Sequence, residues 1–308
     1  MGLKAFLEDS AAIKTGLWLG KHVSLPGLHK LADAIRSFLV SRRSSSLVRN
    51  ISANQWVVSG ENLSKSQLQQ LTDQTIGNVV SSLAEYFYYY QHPEEGRKRI
   101  VLSDRLKDTL RDITERKVPT ILLGPHLGNF DLFGMSLTWI GIHPFVLSAP
   151  NPNNAYKAQN RMRESTGMTI RPISFTSFRE AKKALRDGLC VVTGIDRPLP
   201  DGQDAKYRPR FFGREAALPV FYTRLALETN ASVRVACGIR LENGDYFVDA
   251  SDPIPMEKRD DLVEESVLNV ESVLRPAEDF IRGAQTQWYM IHPVWSEVLP
   301  IINQLTSR

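Results

Sequence analysis

A histidine and an aspartate five residues apart are the side chains in this sequence best suited to proton transfer. His126 and Asp131 belong to the segment GPHLGNFD, which follows the apolar run 118–123 and precedes a second apolar run. This order predicts a tight junction between a buried strand and a buried helix, where α/β proteins place functional side chains. With His126 in the turn and Asp131 in the first helical turn, the carboxylate can reach one imidazole nitrogen. The other nitrogen would then serve as a general base.

The same spacing also has a purely structural interpretation. His126 would be a hydrogen-bonded histidine of the turn, and Asp131 would be an acid favoured by the positive end of the helix dipole. Asn129 is a suitable N-cap for the helix in either case. Spacing alone does not separate the two interpretations, so the rest of the chain has to decide between them.

The composition is that of an ordinary globular protein. The chain has 308 residues, 42% of them hydrophobic and 23% charged, which is enough for one large or two small domains. Cys190 and Cys237 both lie in apolar runs typical of buried strands, which favours a reducing compartment over a disulfide framework. No spacing of Cys and His residues resembles a zinc site.

Residues 1–60 are predicted to form a basic, amphipathic helical arm. The first fifty residues hold eight Lys and Arg against three acids, and apolar residues recur at helical spacing from 28 to 39. With Trp18 nearby, this pattern is typical of helices on an anionic membrane surface. It is equally typical of a helical subdomain packed on the core. A signal peptide is not expected, because four charged residues interrupt the apolar ones: Lys4, Glu8, Asp9 and Lys14.

Residues 61–308 are predicted to form the main domain, an α/β fold with a central, mostly parallel mixed sheet flanked by helices. Between residues 99 and 195, short apolar runs alternate with segments of helical periodicity, as in parallel strands joined by helices. Antiparallel strands are predicted at 232–241 and 245–250, and a long amphipathic helix at 260–284.

Two segments of the main domain are unusually rich in apolar or aromatic residues. The helix predicted from Ser64 to Gln91 ends in five consecutive aromatics, which cannot all face the core of one helix, so some must face a cleft, a lipid or a partner. The uncharged stretch 132–149 has the length of a membrane span. Gly141 and Pro144 interrupt it, so a buried helix followed by a buried strand is predicted instead.

Further candidate residues lie outside the His126 segment. Asp196 and Arg197 follow the strand predicted at 189–195, so they are expected at the carboxyl edge of the sheet. Phe211-Phe212-Gly213 has the pattern of a strand entering a turn, which suits a binding role or a structural strand end. Trp288, His292 and Trp295 lie at the spacing of one helical face, a pattern that favours packing.

Taken in chain order, these motifs resemble those of the bacterial lipid A late acyltransferases and the related phosphatidylinositol mannoside acyltransferases, within the glycerophosphate acyltransferase superfamily. The similarity covers residues 63–295. It rests on four motifs: His126 and Asp131 as HxxxxD, Asp196-Arg197-Pro198 with Gly202, Phe211-Phe212-Gly213 with residues 216–219, and Trp288, His292 and Trp295. Pro198 and Pro293 depart from the pattern, as does Val220 after Pro219. Four motifs in the right order are specific where one would be weak.

The resemblance implies an O-acyltransferase of the HxxxxD type, which moves a fatty acyl chain from acyl-CoA or acyl carrier protein to a hydroxyl of a membrane lipid or glycolipid. His126, oriented by Asp131, would be the general base, with no covalent intermediate and no metal or cofactor. The enzyme would be peripheral, on the cytoplasmic face of the bacterial inner membrane. The candidate substrate-binding residues are Asn129, Arg161, Arg163, Asp196, Arg197, Phe212 and Gly213. The alternative for the arginines is a surface ion pair, and for Phe212 and Gly213 a structural strand end.

Two other classes of function stay open: a thioester or lipid hydrolase, in which water replaces the acceptor, and a non-catalytic lipid-binding protein of membrane surfaces. A serine nucleophile is disfavoured, because residues 134–138 lack the closing glycine of G-x-S-x-G. Neither glycine-rich nucleotide motif occurs. No nucleic-acid partner is expected, since no strand interleaves basic and aromatic residues.

Overall fold

The computed structural model describes residues 10–200 and 206–307. The strands are β1 (Ile100–Leu102), β2 (Thr120–Gly124), β3 (Phe145–Ser148), β4 (Thr169–Pro172), β5 (Val191–Gly194), β6 (Arg210–Phe211), β7 (Arg214–Glu215), β8 (Ser232–Arg240) and β9 (Tyr246–Ala250). Four residues used in the sequence interpretation lie outside the described residues: Lys4, Glu8, Asp9 and Gly202.

The helices alternate with these strands through the middle of the chain. They are α1 (Ser10–His22), α2 (Leu25–Ser41), α3 (Ser46–Val58), α4 (Lys65–Gln91), α5 (Pro93–Lys98), α6 (Asp104–Thr114), α7 (Phe130–Trp139), α8 (Asn154–Ser165), α9 (Phe175–Arg186), α10 (Phe221–Thr229), α11 (Leu262–Gly283) and α12 (Leu299–Ser307). Short 3₁₀ helices occupy Gln285–Gln287 and Ser296–Val298.

Seven strands form one sheet in the order β1-β9-β8-β2-β5-β3-β4, and β6 and β7 form a separate hairpin. Neighbours in the large sheet are parallel except β8 and β9, which pair antiparallel. Strands covered on both faces need continuous apolar runs, and four of the five residues of β2 are buried. The predicted α/β fold with a mostly parallel mixed sheet flanked by helices is confirmed.

Side-chain caps set where several of the connecting helices begin. Ser103, Asn129, Asn153 and Ser174 each accept a hydrogen bond from a backbone N–H of the first helical turn. The N-cap predicted at Asn129 is therefore confirmed. Because β2 and β5 are parallel and pair Gly124 with Gly194, the residues just beyond both strands meet at one edge of the sheet.

The N-terminal helices pack on α4. Gly20 lies so close to α4 that a Cβ there would overlap the Phe87 carbonyl oxygen. Of the five consecutive aromatics, Tyr86, Phe87 and Tyr89 are buried and the other two are half-buried. This agrees with the expectation that five consecutive helical residues cannot all face the core. The third helix, α3, contributes Ala53, Val57 and Val58 to the main hydrophobic core. The domain boundary at residue 60 stays a prediction.

The C-terminal tail does not form the helix that the spacing of its tryptophans suggests. Between the two 3₁₀ helices the chain is irregular, and Pro293 removes a backbone donor that a helix would use. Trp288 and Trp295 are nevertheless both 1% exposed, because the tail folds around the ring of Phe211. Trp288 also pairs with Leu127 through an isolated antiparallel bridge. The tail thus lies against the turn that contains His126.

Candidate active site

The turn after β2 is held by backbone hydrogen bonds to the C-terminal tail. Tyr289 N donates to the carbonyl oxygen of His126 at 2.7 Å, and Gly128 N donates to Gln287 O at 2.8 Å. Gly128 has a φ of 58°, and a Cβ there would overlap the carbonyl oxygen of Gly238. Only glycine fits this combination of left-handed backbone and close approach. These contacts fix the position of the His126 backbone.

The partner of His126 is Asp196, which lies two residues beyond β5. His126 Nδ1 and Asp196 Oδ1 are 2.6 Å apart, and Asp196 Oδ2 accepts hydrogen bonds from His126 N at 2.8 Å and Trp288 Nε1 at 2.7 Å. Asp196 is fully buried, whereas the His126 side chain is 26% exposed. A carboxylate that accepts at Nδ1 places the proton on that nitrogen. Within the described residues His126 Nε2 has no hydrogen-bond partner, so it can act on a substrate.

The predicted contact between Asp131 and His126 is wrong. Asp131 Oδ2 accepts from Gln159 at 2.7 Å, and its Oδ1 accepts from Arg163 at 2.7 Å. The reason lies in the start of α7: Phe130, the first helical residue, packs edge-on against the imidazole at 4.8 Å between ring centroids. The carboxylate of the next residue is then directed to α8 instead of back to the turn.

Asp131 and Arg163 form a buried ion pair that joins α7 to α8. Both side chains are only 10% exposed, and Arg163 also donates to Asn160 Oδ1 at 2.9 Å. Burial is the largest influence on Arg163 and lowers its pKa, but the charge of Asp131, the tyrosines Tyr156 and Tyr86 and the hydrogen bond to Asp131 together raise that pKa above its ordinary value. Arg163 is thereby occupied by the fold, and a role in substrate binding would require it to leave this pair.

The other predicted substrate-binding residues fall into two groups. Asn129, Phe212 and Gly213 have structural roles, whereas Arg161 and Arg197 are exposed or half-buried. Asn129 is 4% exposed. Its Oδ1 accepts from Leu132 N as the helix cap, and its Nδ2 donates to the Ser82 carbonyl oxygen at 2.9 Å. Phe212 and Gly213 both have positive φ, 50° and 80°, and form the two-residue turn between β6 and β7, as a type I′ hairpin turn requires. Arg161 is exposed on α8, and Arg197 is half-buried immediately after Asp196.

Two residues that the sequence interpretation assigned to packing belong to the site. Trp288 donates to the Asp196 carboxylate, and its spacing in the sequence gave no sign of this contact. His292 lies three residues beyond Tyr289, in a segment that Asn54 holds through the carbonyl oxygens of Met290 and His292, at 2.9 and 2.8 Å. The sequence did contain one signal: His292 lies between Trp288 and Trp295 and next to Pro293, which indicates a residue outside the core.

His292 is a source of pH-dependent stability. Burial, together with the nearby charges of Arg197 and His126, lowers the pKa of His292 from 6.5 to about 4. Folding therefore favours the neutral ring, so this stability is present above pH 6.5 and is lost as the pH falls towards 4. We expect the melting temperature of His292→Gln to fall less over this range than that of the natural chain, as measured by calorimetry. Equal slopes for the two proteins would contradict this assignment.

A second buried carboxylate connects the N-terminal helices to the start of α7. Glu85 is 2% exposed, lies 2.7 Å from His29 Nε2 and 3.0 Å from Arg240 Nε, and accepts from the Tyr246 hydroxyl. That hydroxyl is 3.3 Å from Asn129 Nδ2. A buried charge needs such partners to be tolerated. Glu85 therefore ties α2, α4 and two strands to the N-cap of α7.

Comparison with known protein families identifies one that matches this chain. A model of the bacterial lipid A biosynthesis acyltransferases matches residues 15–297, a range that includes the N-terminal helices, the His126–Asp196 pair and the tail that holds it. No curated protein sequence matches the chain. The resemblance inferred from the four motifs is confirmed. The chain belongs to the bacterial lipid A biosynthesis acyltransferase family.

Proposed function

We propose that this protein transfers a fatty acyl chain from a thioester, either acyl-CoA or acyl carrier protein, to a hydroxyl of a membrane lipid or glycolipid. Membership of the family supports acyl transfer as the reaction class. The observation that carries the proposal is the 2.6 Å contact between His126 Nδ1 and Asp196 Oδ1, with Nε2 of the half-buried ring unoccupied among the described residues. This arrangement is that of an oriented general base.

The reaction needs one base and no protein nucleophile. His126 Nε2 takes the proton of the acceptor hydroxyl as its oxygen attacks the thioester carbonyl. The tetrahedral intermediate then collapses, the carbon–sulfur bond breaks, and the leaving thiolate takes the proton back from the imidazolium. A covalent acyl-cysteine is disfavoured, because burial raises the pKa of both Cys190 and Cys237 to about 12.

Asp196 serves the reaction by holding the ring in the active tautomer and by stabilising the imidazolium that forms. Its second oxygen is already occupied by two N–H donors, so the carboxylate cannot turn away from the ring. Arg197 follows it in the chain and is half-buried, and its charge helps to lower the pKa of His292. We assign to Arg197 the stabilisation of negative charge, either on the tetrahedral oxyanion or on a phosphate of a substrate.

The test of this function is product analysis with the purified protein. Palmitoyl-CoA, or the same chain on acyl carrier protein, is incubated with vesicles that contain a hydroxylated glycolipid, and the lipids are identified by mass spectrometry. Acyl transfer predicts an acylated lipid and a free thiol in equal amounts. Free fatty acid as the main product would instead support a hydrolase. No turnover with either donor, together with intact vesicle binding, would support a non-catalytic lipid-binding protein.

The proposal includes a peripheral membrane location, with α1 and α2 on the lipid surface. Among the described residues, no helix combines the length and apolar character needed to cross a membrane. On α2, Leu31, Ile35 and Phe38 form an exposed stripe at helical spacing, 39%, 40% and 47% exposed, and Arg42 lies over the Phe38 ring. Trp18 on α1 is 57% exposed. Apolar side chains flanked by basic ones suit an anionic lipid surface.

Charges placed in this stripe should weaken membrane binding. We expect Ile35→Asp combined with Phe38→Asp to lower binding to anionic vesicles by on the order of 10- to 100-fold, because two apolar side chains no longer enter the lipid. Sedimentation with phosphatidylglycerol vesicles measures the effect. Ser37→Asp is the matched control: it adds a charge to the same helix at an exposed position outside the stripe. Equal binding by the double variant and the control would exclude this surface.

A further inference from the structure

The most exposed large apolar side chain of the described residues is that of Phe175, the first residue of α9. Its ring is 78% exposed, and the Arg179 guanidinium lies 5.3 Å from the ring centre. Arg179 is itself exposed and forms no ion pair with the residues that the structure describes. An aromatic ring and a cation are thus presented together at the surface.

The first turn of α9 is held in place by its cap and by the core. The side chain of Ser174 accepts from Ser177 N at 3.1 Å, and the hydroxyl of Ser177 accepts from Ser174 N at 2.8 Å. On the opposite face of the helix, Ala181 and Ala184 are buried in the main hydrophobic core. Phe175 lies on the face turned away from this core. The fold itself therefore keeps the Phe175 ring exposed.

Phe175 lies at the same edge of the sheet as the candidate site. It follows the end of β4 by three residues, as His126 and Asp196 follow β2 and β5 by two. The strands β2, β5, β3 and β4 are adjacent and parallel, so their carboxyl ends form one edge. Two strand spacings separate β4 from β5, a lateral distance of about 10 Å. Phe175 thus flanks the His126–Asp196 pair on its β4 side.

The helix α2 flanks the pair on the other side. Its His29 Nε2 is 2.7 Å from Glu85, whose carboxylate also contacts Arg240 at the end of β8 and Tyr246 at the start of β9. Because β8 is parallel to β2 and antiparallel to β9, both of these strand ends lie at the same carboxyl edge. In the strand order they lie on the β8 side of β2, whereas β4 lies on the β5 side. The candidate site is therefore between the helix with the exposed apolar stripe and the first turn of α9.

We propose that the Phe175 ring enters the lipid surface and that Arg179 binds the phosphates of anionic lipids there. The assignment rests on the peripheral location included in the proposed function, and it adds a second contact that orients the enzyme. Arg179 is one helical turn behind Phe175, about 6 Å along the axis, which matches the depth to which interfacial side chains enter lipid. Contacts on both sides of His126 hold the carboxyl edge of the sheet against the bilayer, where a lipid hydroxyl can reach Nε2.

The charge and the small area of this contact favour lipid over a protein partner. The exposed face of α9 continues from Phe175 and Arg179 to Lys183 and Arg186, all basic and at the spacing of one helical face. These charges attract an anionic surface. The ring offers roughly 200 Å², far below the area of about 800 Å² that each partner buries in a stable protein interface. Insertion into lipid needs no such matching surface.

The experiment places an environment-sensitive nitrobenzoxadiazole fluorophore at position 175, through Phe175→Cys. Cys190 and Cys237 are buried and their pKa is raised to about 12, so the thiol reagent labels position 175. We expect phosphatidylglycerol vesicles to shift the emission to the blue, and brominated lipids in these vesicles to quench it. Leu262→Cys is the matched control. Leu262 is 65% exposed at the start of α11, about 30 Å from the end of that helix, which leads into the segment that holds the His126 turn. Its label should stay in water.

The outcomes separate this assignment from the proposed function. A label at position 175 that stays in water while the chain sediments with vesicles would overturn the assignment and leave acyl transfer and binding through α2 intact. A blue shift caused by acyl carrier protein without lipid, and not by vesicles, would overturn it in favour of a protein partner. Failure of the natural chain to bind vesicles would contradict the peripheral location of the proposed function and this assignment with it.

The role of Arg179 has its own measurement. We expect Arg179→Gln to weaken binding to phosphatidylglycerol vesicles about fivefold, the effect of one basic residue near an anionic surface. Binding to uncharged phosphatidylcholine vesicles should stay unchanged, because the Phe175 ring is still present. Lys258→Gln, which removes an exposed charge in the loop before α11, is the control. Equal losses in the two variants would show that net charge, and not a phosphate contact at Arg179, sets the affinity.

Discussion

Replacement of His126 by alanine is expected to lower kcat for acyl transfer by on the order of 10²- to 10⁴-fold, the range that a positioned general base contributes. The loss should appear in kcat more than in KM, because Nε2 acts on the proton that moves in the transition state. Turnover of palmitoyl-CoA with a hydroxylated lipid acceptor measures both constants. Full activity in the variant would remove the mechanism.

His143→Ala is the matched control for this loss. His143 precedes β3, so it lies at the amino edge of the sheet, opposite the edge where β2 ends. The same residue type is removed, and the distance from the site leaves kcat unchanged. Equal melting temperatures would show that both proteins are folded. A comparable loss in the control would mean that histidine removal acts through the fold and not through proton transfer.

Replacement of Asp196 by asparagine is expected to have an effect of similar size, on the order of 10²- to 10⁴-fold in kcat. The two N–H donors at Oδ2, from the His126 backbone and Trp288, require an oxygen at that position. The amide nitrogen must then face His126 Nδ1 and donate to it. The imidazole proton moves to Nε2, so the ring is in the wrong tautomer to accept a proton from the substrate.

Asp131→Asn separates the two acids experimentally. It leaves the Asp196 contact in place but breaks the buried pair with Arg163, which should destabilise the fold by about 3–5 kcal/mol. Activity per folded molecule should fall far less than in Asp196→Asn. Nitrogen NMR of the His126 ring reports the tautomer in each protein. A protonated Nε2 in Asp131→Asn, with Nδ1 still protonated in Asp196→Asn, would reverse the assignment of the two carboxylates.

The fold was predictable because its signals are local. The apolar run 118–123 and the strand predicted at 189–195 correspond to β2 and β5, and they differ from the observed strands by a few residues at their ends. The order of strands in the sheet was not predictable, because pairing β2 with both β5 and β8 depends on contacts between distant segments.

The histidine and the acid at the centre of the candidate site were predictable as residues, but their pairing was not. His126 and Asp196 were both recognised as lying beyond buried strands, yet 70 positions separate them. The alignment of Gly124 with Gly194 brings them together, and no spacing in the sequence reveals that register. Asp131 is near His126 in the sequence, but the packing of Phe130 at the start of α7 directs the Asp131 carboxylate to α8. The contact between Trp288 and Asp196 was not predictable either, because it joins residues 92 positions apart.

The dependence of Asp196 on Trp288 has a consequence for synthesis on the ribosome. Residues 285–290 supply the indole donor and the two backbone contacts that secure the His126 turn. A nascent chain whose residues 285–290 are still inside the ribosome can form the sheet, but it lacks the hydrogen bonds that hold Asp196 and the His126 turn. Catalytic competence should therefore arise abruptly during translation, once the Trp288 segment has emerged from the ribosome and docked.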